Sequence, residues 1–334
     1  MRTANERDFS GVISLSPLSQ GASADLAFGF ADRGHRVPND IGTRFAMASG
    51  SKVFTAVAVG LLIEEGKISL GTRLEECVRS REFGFASEVT IGQLLSHTSG
   101  VPDYFDEEKH TDFAELWRDR PCYRMTSVRD FLPLFEKGTM KALPGSGFHY
   151  SNSGYILLGL VIEELTGSDF RDFIGERIFR DCEMTRTGYF AMDALPENTA
   201  LGYLSQAKDE WHTNIYSVPS IGGPDGGAFT TIADMRSFWT SLLAGRILVK
   251  GMVEQFLFPS VRIKDDDESR FYGYGVWLQK WRGNWVVSTI GNDPGVSMVS
   301  RVWPGNGLIM TILSNVHDGA WSMSRVLGDR INQV

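Results

Sequence analysis

Cysteine is scarce. The 334 residues hold only Cys77, Cys122 and Cys182, far apart and without CxxC spacing, which excludes a disulfide framework and a cysteine-based zinc or redox site. Basic charge is also in deficit. Lys and Arg number 33 against 41 Asp and Glu, a net −8 at pH 7, the wrong sign for wide contact with phosphates, so no nucleic-acid partner is expected. Long hydrophobic runs are missing. Residues 53–63 form the most apolar stretch, well short of the about 20 residues a bilayer span requires, so no membrane span is expected. Residues 1–9 carry Arg2, Glu6, Arg7 and Asp8 where an export signal would be apolar. The expectation is a cytoplasmic protein, or a periplasmic or secreted one if a leader precedes these residues. HExxH, a Walker A loop, GxGxxG after a strand and GxSxG are all absent, so metal, nucleotide and α/β-hydrolase chemistry lose their main support.

What is present suits a large core: 42% hydrophobic residues, 11% aromatics and 22% charged residues, with 36 glycines for turns. Strand-like stretches open the chain at 9–15, 24–31 and 44–48, and residues 53–65 read as a helix buried on most sides. From about 90 to 245 helical periodicity dominates, at 91–96, 127–136, 155–165, 170–179 and 232–243. Runs of β-formers follow at 272–278, 285–289, 296–302 and 308–313, with a last amphipathic helix at 320–331. The predicted fold is α+β: an antiparallel sheet flanked by helices and built from both termini (1–75 and 246–334), with a mostly helical domain inserted at 76–245. The cleft between them is the default place for a site. The loop over 101–124, rich in charge and aromatics, is long enough to line it.

Ser49-Gly50-Ser51-Lys52 falls where strand gives way to the buried helix. Residues three apart share a helix face, so the Ser49 hydroxyl and Lys52 ammonium can meet, near a helix N-terminus that favours a developing alkoxide. The spacing alone is weak, since about one such tetrapeptide arises by chance. Ser205-Gln206-Ala207-Lys208 repeats it in a polar stretch with no buried helix behind it. Serine needs a base, and lysine serves only if burial or a second cation lowers its pKa. Tyr150-Ser151-Asn152 is the one Tyr-x-Asn in the chain. In an extended segment Tyr150 and Asn152 point the same way; a phenol beside a lysine can shuttle protons, and an amide can orient the lysine and bind a carbonyl.

These motifs resemble the first two signatures of the serine β-lactamase and penicillin-binding protein superfamily, nearest its class C β-lactamase-like branch, which includes D-aminopeptidases, D,D-carboxypeptidases and esterases. Leu94-Leu95-Ser96-His97-Thr98-Ser99-Gly100 and the glycine-rich lead at 226–234 are similar to further stretches of that branch. The resemblance implies a β-lactamase/transpeptidase-like fold and a serine acyl hydrolase that forms an acyl-enzyme on Ser49, with Lys52 and Tyr150 sharing base and acid duty. It implies no cofactor and no metal. Its third signature, Lys-Thr-Gly or His-x-Gly on an edge strand, reads here as Thr289-Ile290-Gly291. Thr289, Gly291 and Asn292 then join Asn152 as substrate-binding residues, and the backbone N–H groups of Ser49 and Asn292 form the oxyanion hole.

Neutral Thr289 removes the cation that would attract a carboxylate. The expected partner is therefore a small acyl substrate without one, an ester or amide, with β-lactams or D-amino acid peptides as the alternatives the family offers. A binding module that has lost turnover is the competing reading from another class. His97 is expected to be structural, and Thr231 with Asp234 to form a capping box.

Overall fold

The computed structural model describes residues 9–19, 21–79, 83–85, 88–107, 113–205, 210–263, 269–281 and 284–331. Its main element is an eight-stranded antiparallel sheet that joins the two ends of the chain. The strands are β1 (Gly11–Pro17), β2 (Ala24–Phe28), β3 (Phe30–Asp32), β4 (Val37–Pro38), β5 (Phe45–Ala46), β6 (Phe229–Thr230), β7 (Val261–Arg262), β8 (Arg270–Tyr272), β9 (Trp277–Trp281), β10 (Asn284–Asp293), β11 (Val296–Trp303) and β12 (Leu308–Ser314). The order in the large sheet is β2-β1-β12-β11-β10-β9-β8-β7, while β3 pairs with β4 and β5 with β6 in two small ribbons. Pairing of β1 with β12, from Gly11 opposite Ser314 to Pro17 opposite Leu308, closes the N-terminal hairpin onto the C-terminal meander. The fold is thus the mixed class expected, with a large antiparallel sheet covered by helices.

Helices cover both faces of the sheet. The Gly319–Ile331 helix sets Ala320 and Met323 against Ile13, Val299, Met310 and Ile312 in one core. The other face meets a larger core threaded by the Lys52–Glu64 helix. That helix is apolar all round because it is enclosed all round: every residue from Lys52 to Leu62 is buried. Phe54 on it meets Phe179 and Phe238 edge-on, with ring centroids 5.0 Å away in each case.

Three elements differ from the sequence expectation for local reasons. The single strand expected at 272–278 is two, β8 and β9, because Gly273 and Gly275 turn the chain between them. Gly275 has φ +79°, and a Cβ there would come within 2.5 Å of Ala56 on the buried helix. The helix expected at 127–136 is a 3-10 helix over Val128–Leu134, with Pro133 inside it. The capping box at Thr231 is half made. Its hydroxyl accepts the Asp234 N–H at 3.2 Å, but the Asp234 carboxylate turns to the Arg186 N–H and the Thr187 hydroxyl. Of the second Ser-x-x-Lys, residues 206–208 lie outside the described residues, as does His110.

Candidate active site

Ser49 stands on a single 3-10 turn, Ala48–Ser51, that runs directly into the Lys52–Glu64 helix. A 3-10 turn eclipses residues i and i+3, which sets Lys52 beneath Ser49. Ala48 adopts φ +48°, a left-handed conformation costly for a residue with a Cβ. The turn is held from the glycine-rich strand beside it: Met47 N–H donates to Ala228 O at 2.7 Å and Gly227 N–H to Ala48 O at 3.1 Å.

Lys52 is 2% exposed, and its Nζ has three oxygen neighbours. Ser49 Oγ lies 3.0 Å away and Asn152 Oδ1 2.7 Å away, and the Asp225 carbonyl is the third. Two of these three can only accept. A neutral amine satisfies both with its two N–H groups and turns its lone pair to the third neighbour, the serine hydroxyl. Burial is also the largest influence on this lysine and lowers its pKa, against the carboxylates of Asp225, Glu107, Asp293 and Asp103, which raise it.

Tyr150 and Asn152 reach the same spot from the start of the Asn152–Thr166 helix. Ser151 caps that helix, its extended backbone (φ −147°) carrying Tyr150 and Asn152 to one side and its hydroxyl accepting the Gly154 N–H at 3.1 Å. The buried Asp103 carboxylate receives the Asn152 and Ser153 N–H groups at 3.1 and 2.9 Å. Burial raises its pKa to about 7.

The Ser49 side chain is close enough to the Tyr150 hydroxyl to favour its ionised form, and the ring centroid of Tyr150 is 5.1 Å from Lys52 Nζ. Burial and the nearby Glu107 carboxylate push this phenol well above its usual range, so it is neutral at pH 7. His97 braces it. The two ring centroids are 4.3 Å apart, and His97 Nδ1 accepts the Ser151 N–H at 3.1 Å. An acceptor Nδ1 and a pKa driven well down by burial make His97 a neutral support, as its sequence context suggested.

The third stretch lies differently from the edge strand expected. β10 is flanked on both sides, but β9 covers only 284–288, so 289–293 forms an open half-edge beside the Ser49 turn. Gly291 is where the two meet: a Cβ would fall 1.9 Å from Met47 O and 2.8 Å from Gly50 N. Thr289 is 2% exposed, donates its hydroxyl to Gly50 O at 2.6 Å and is not among the residues lining the cleft. The structure therefore gives it a place under the nucleophile's turn instead of against substrate. The Asn292 side chain is likewise turned aside, 3.3 Å from His317 Nε2. Its backbone is placed otherwise. Asp293 and Val296 flank the Pro294-Gly295 turn, so the next pair, Asn292 and Ser297, is the non-bonded kind and the Asn292 N–H points away from β11.

Sequence reasoning missed five residues here: Asp103, Tyr104, Glu107, Asp225 and Asp293. Three lie in the loop suspected of lining a site, and its mixed charge and aromatics were the signal. Tyr104 donates its hydroxyl to the Asp225 carboxylate, and Glu107 Oε1 accepts the Asn152 Nδ2 at 3.1 Å. Asp225 sits between two glycine pairs, in a loop whose carbonyl rather than its side chain holds Lys52. Asp293 follows the third stretch directly, and burial with Glu107 nearby raises its pKa to about 8. Ser49, Asn152, Glu107, Asp225 and Asp293 open on one cleft with an aromatic wall that includes Phe113, Trp117, Phe131 and Phe190.

Known proteins share this fold. A penicillin-binding protein from Bacillus halodurans, known from its crystal structure, is 40% identical, with a TM-score of 0.93 over 98% of both chains. The D-amino acid amidase of Ochrobactrum anthropi shares the fold at 21% identity, with a TM-score of 0.79 over 98% of this chain and 96% of that one. Penicillin-binding protein 4* of Bacillus subtilis is 29% identical over 86% of this chain, which spans 64% of that protein's length. Residues 19–327 match the Beta-lactamase family model, and the chain belongs to that family of serine hydrolases.

Proposed function

We propose that this protein is a serine acyl hydrolase acting on esters or amides whose acyl portion carries no carboxylate. The observation that carries the reading is the meeting of Lys52 Nζ with Ser49 Oγ, Asn152 Oδ1 and the Asp225 carbonyl. Neutral Lys52 takes the Ser49 proton as Oγ attacks the substrate carbonyl. The oxyanion is held by the backbone N–H groups of Ser49 and Asn292. The Lys52 ammonium passes its proton through the neutral Tyr150 phenol to the leaving group, which departs and leaves an ester on Ser49. Water, deprotonated by the same pair, releases the acid.

Exclusion of carboxylate substrates rests on charge. The described lining of the cleft includes no Lys, Arg or His while it includes Glu107, Asp225 and Asp293. Penicillin-binding relatives keep β-lactam and D-peptide hydrolysis as the second reading. Turnover of p-nitrophenyl butyrate, a chromogenic cephalosporin and a D-alanyl-D-alanine peptide separates the two. The ester is expected to react at least tenfold faster than either carboxylate-bearing substrate; equal or faster cleavage of the cephalosporin or peptide contradicts the proposal.

A further inference from the structure

We infer that Thr55 is a positioning residue for the general base: it grips the Pro224 carbonyl and so fixes the Asp225 carbonyl against Lys52. The inference rests on the hydrolase reading and adds a residue to that same site. Thr55 stands three residues after Lys52, on the same face of the Lys52–Glu64 helix, and is fully buried. A helical threonine can satisfy its hydroxyl on its own helix, at the carbonyl four residues back. Thr55 instead donates to Pro224 O at 2.6 Å, 169 residues further along the chain.

The carbonyl it reaches belongs to a tight turn. Gly223 N–H donates to Gly226 O at 2.8 Å and Gly226 N–H to Gly223 O at 3.2 Å, which leaves Pro224 and Asp225 as the two corner residues. Pro224 presets its own φ, so the soft coordinate of the turn is the plane of the peptide between Pro224 and Asp225. A flip of that peptide is what separates the two common turn types. Its oxygen is the atom Thr55 holds, and the next carbonyl, that of Asp225, is the one at Lys52 Nζ. Side chains one turn apart on one helix thus bind consecutive carbonyls of one loop.

Independent packing seats the same corner. Gly159, on the Asn152–Thr166 helix, leaves a notch for the Pro224 ring: a Cβ there would fall 2.0 Å from Pro224 Cγ. From the cleft side Tyr104 donates its hydroxyl to the Asp225 carboxylate. At the far end of the loop Gly227 N–H donates to the Ala48 carbonyl of the nucleophile's turn at 3.1 Å. The loop therefore runs from the serine's turn to the base, and the Thr55 hydroxyl anchors it to the helix that carries Lys52.

Thr55 acts on Lys52 without adding charge. The carboxylates around the amine are Asp103 and Glu107 from the 101–124 loop, Asp225 from the turn and Asp293 from β10. His97, Tyr150 and Tyr155 surround it as well, the two tyrosine ring centroids lying 5.1 and 5.6 Å from Nζ. A substitution at Thr55 leaves all of them in the chain, so a change in the titration of Lys52 reports the position of the carbonyl. An acceptor favours an ammonium over a neutral amine, because a charged donor makes the stronger hydrogen bond. Displacement of the Asp225 carbonyl therefore lowers the pH at which Lys52 loses its proton.

The test compares Thr55→Val and Thr55→Ala, which lack the donor, with Thr55→Ser, which keeps it. Two readouts are followed against pH: inactivation by a fluorophosphonate, and the carbon-13 shift of Lys52 Cε in lysine-labelled protein, assigned with Lys52→Arg. The donor-less variants are expected to move the Lys52 titration and the rising limb of inactivation lower by about half a pH unit or more. Their limiting rate is expected to fall by about fivefold or more, and Thr55→Ser to restore rate and titration together. Wild-type titration and rate in a folded donor-less variant, whatever its stability, overturn the inference and leave the hydrolase reading standing. A limb moved to higher pH, or a Thr55→Ser protein that behaves like Thr55→Ala, overturns it as well. A lowered Lys52 titration in the donor-less variants with no labelling of Ser49 in the wild type supports the placement of the amine and overturns the hydrolase reading.

Discussion

Lys52 Nζ sits 3.0 Å from Ser49 Oγ, directly below it, with its other two contacts fixed to oxygens that can only accept. This relationship sets an amine whose ionisation burial disfavours against the serine hydroxyl. Burial opposes the ammonium, and the backbone carbonyl and the amide oxygen hold the amine in place beneath the serine.

The rate of Ser49 acylation should therefore rise with pH through the Lys52 pKa, along a limb below the ordinary lysine value of 10.5. Removal of a carboxylate that favours the ammonium moves the limb further down. Glu107→Gln should shift it to lower pH in a pH profile of inactivation by a fluorophosphonate; a shift to higher pH contradicts the assignment.

Gly291→Ala should damage stability and activity together. The added Cβ meets the Met47 carbonyl and the Gly50 N–H, both backbone, so β10 must move away from the nucleophile's turn. A loss of about 1–3 kcal/mol in urea unfolding is expected from such overpacking. Acylation should fall by at least tenfold, because the Asn292 N–H moves with the strand. Retained acylation at normal stability would remove Gly291 from the account.

Thr289→Val keeps the shape of a buried side chain and deletes the donor to Gly50 O. An unpaired buried carbonyl costs about 1–3 kcal/mol. Unfolding should show that loss, with the ratio of activity on neutral and carboxylate substrates unchanged. A change in that ratio would mean that position 289 faces substrate after all.

Much of this was legible in the sequence. The buried helix and the two-ended sheet follow from periodicity, while the grouping of Ser49, Lys52, Tyr150 and Asn152 came from the resemblance of their two motifs to the family's signatures. The role of Thr289 was not legible, because strand alternation does not say whether a hydroxyl turns to a substrate or to a neighbouring carbonyl such as Gly50 O. Asp225 was hidden because its backbone makes the contact with Lys52, and backbone groups leave no mark on a sequence. Asp293 became visible only when the Pro294-Gly295 turn folded it back into the cleft.

The central claim, a serine made reactive by the amine one turn below it, is tested most directly by labelling the protein with a fluorophosphonate and mapping the adduct by mass spectrometry. One phosphonate on Ser49 is predicted for the wild type, with labelling of Lys52→Ala slowed by about 100-fold or more, the range removal of a general base produces. No adduct, an adduct on Ser51 or another serine, or undiminished labelling of Lys52→Ala would contradict it.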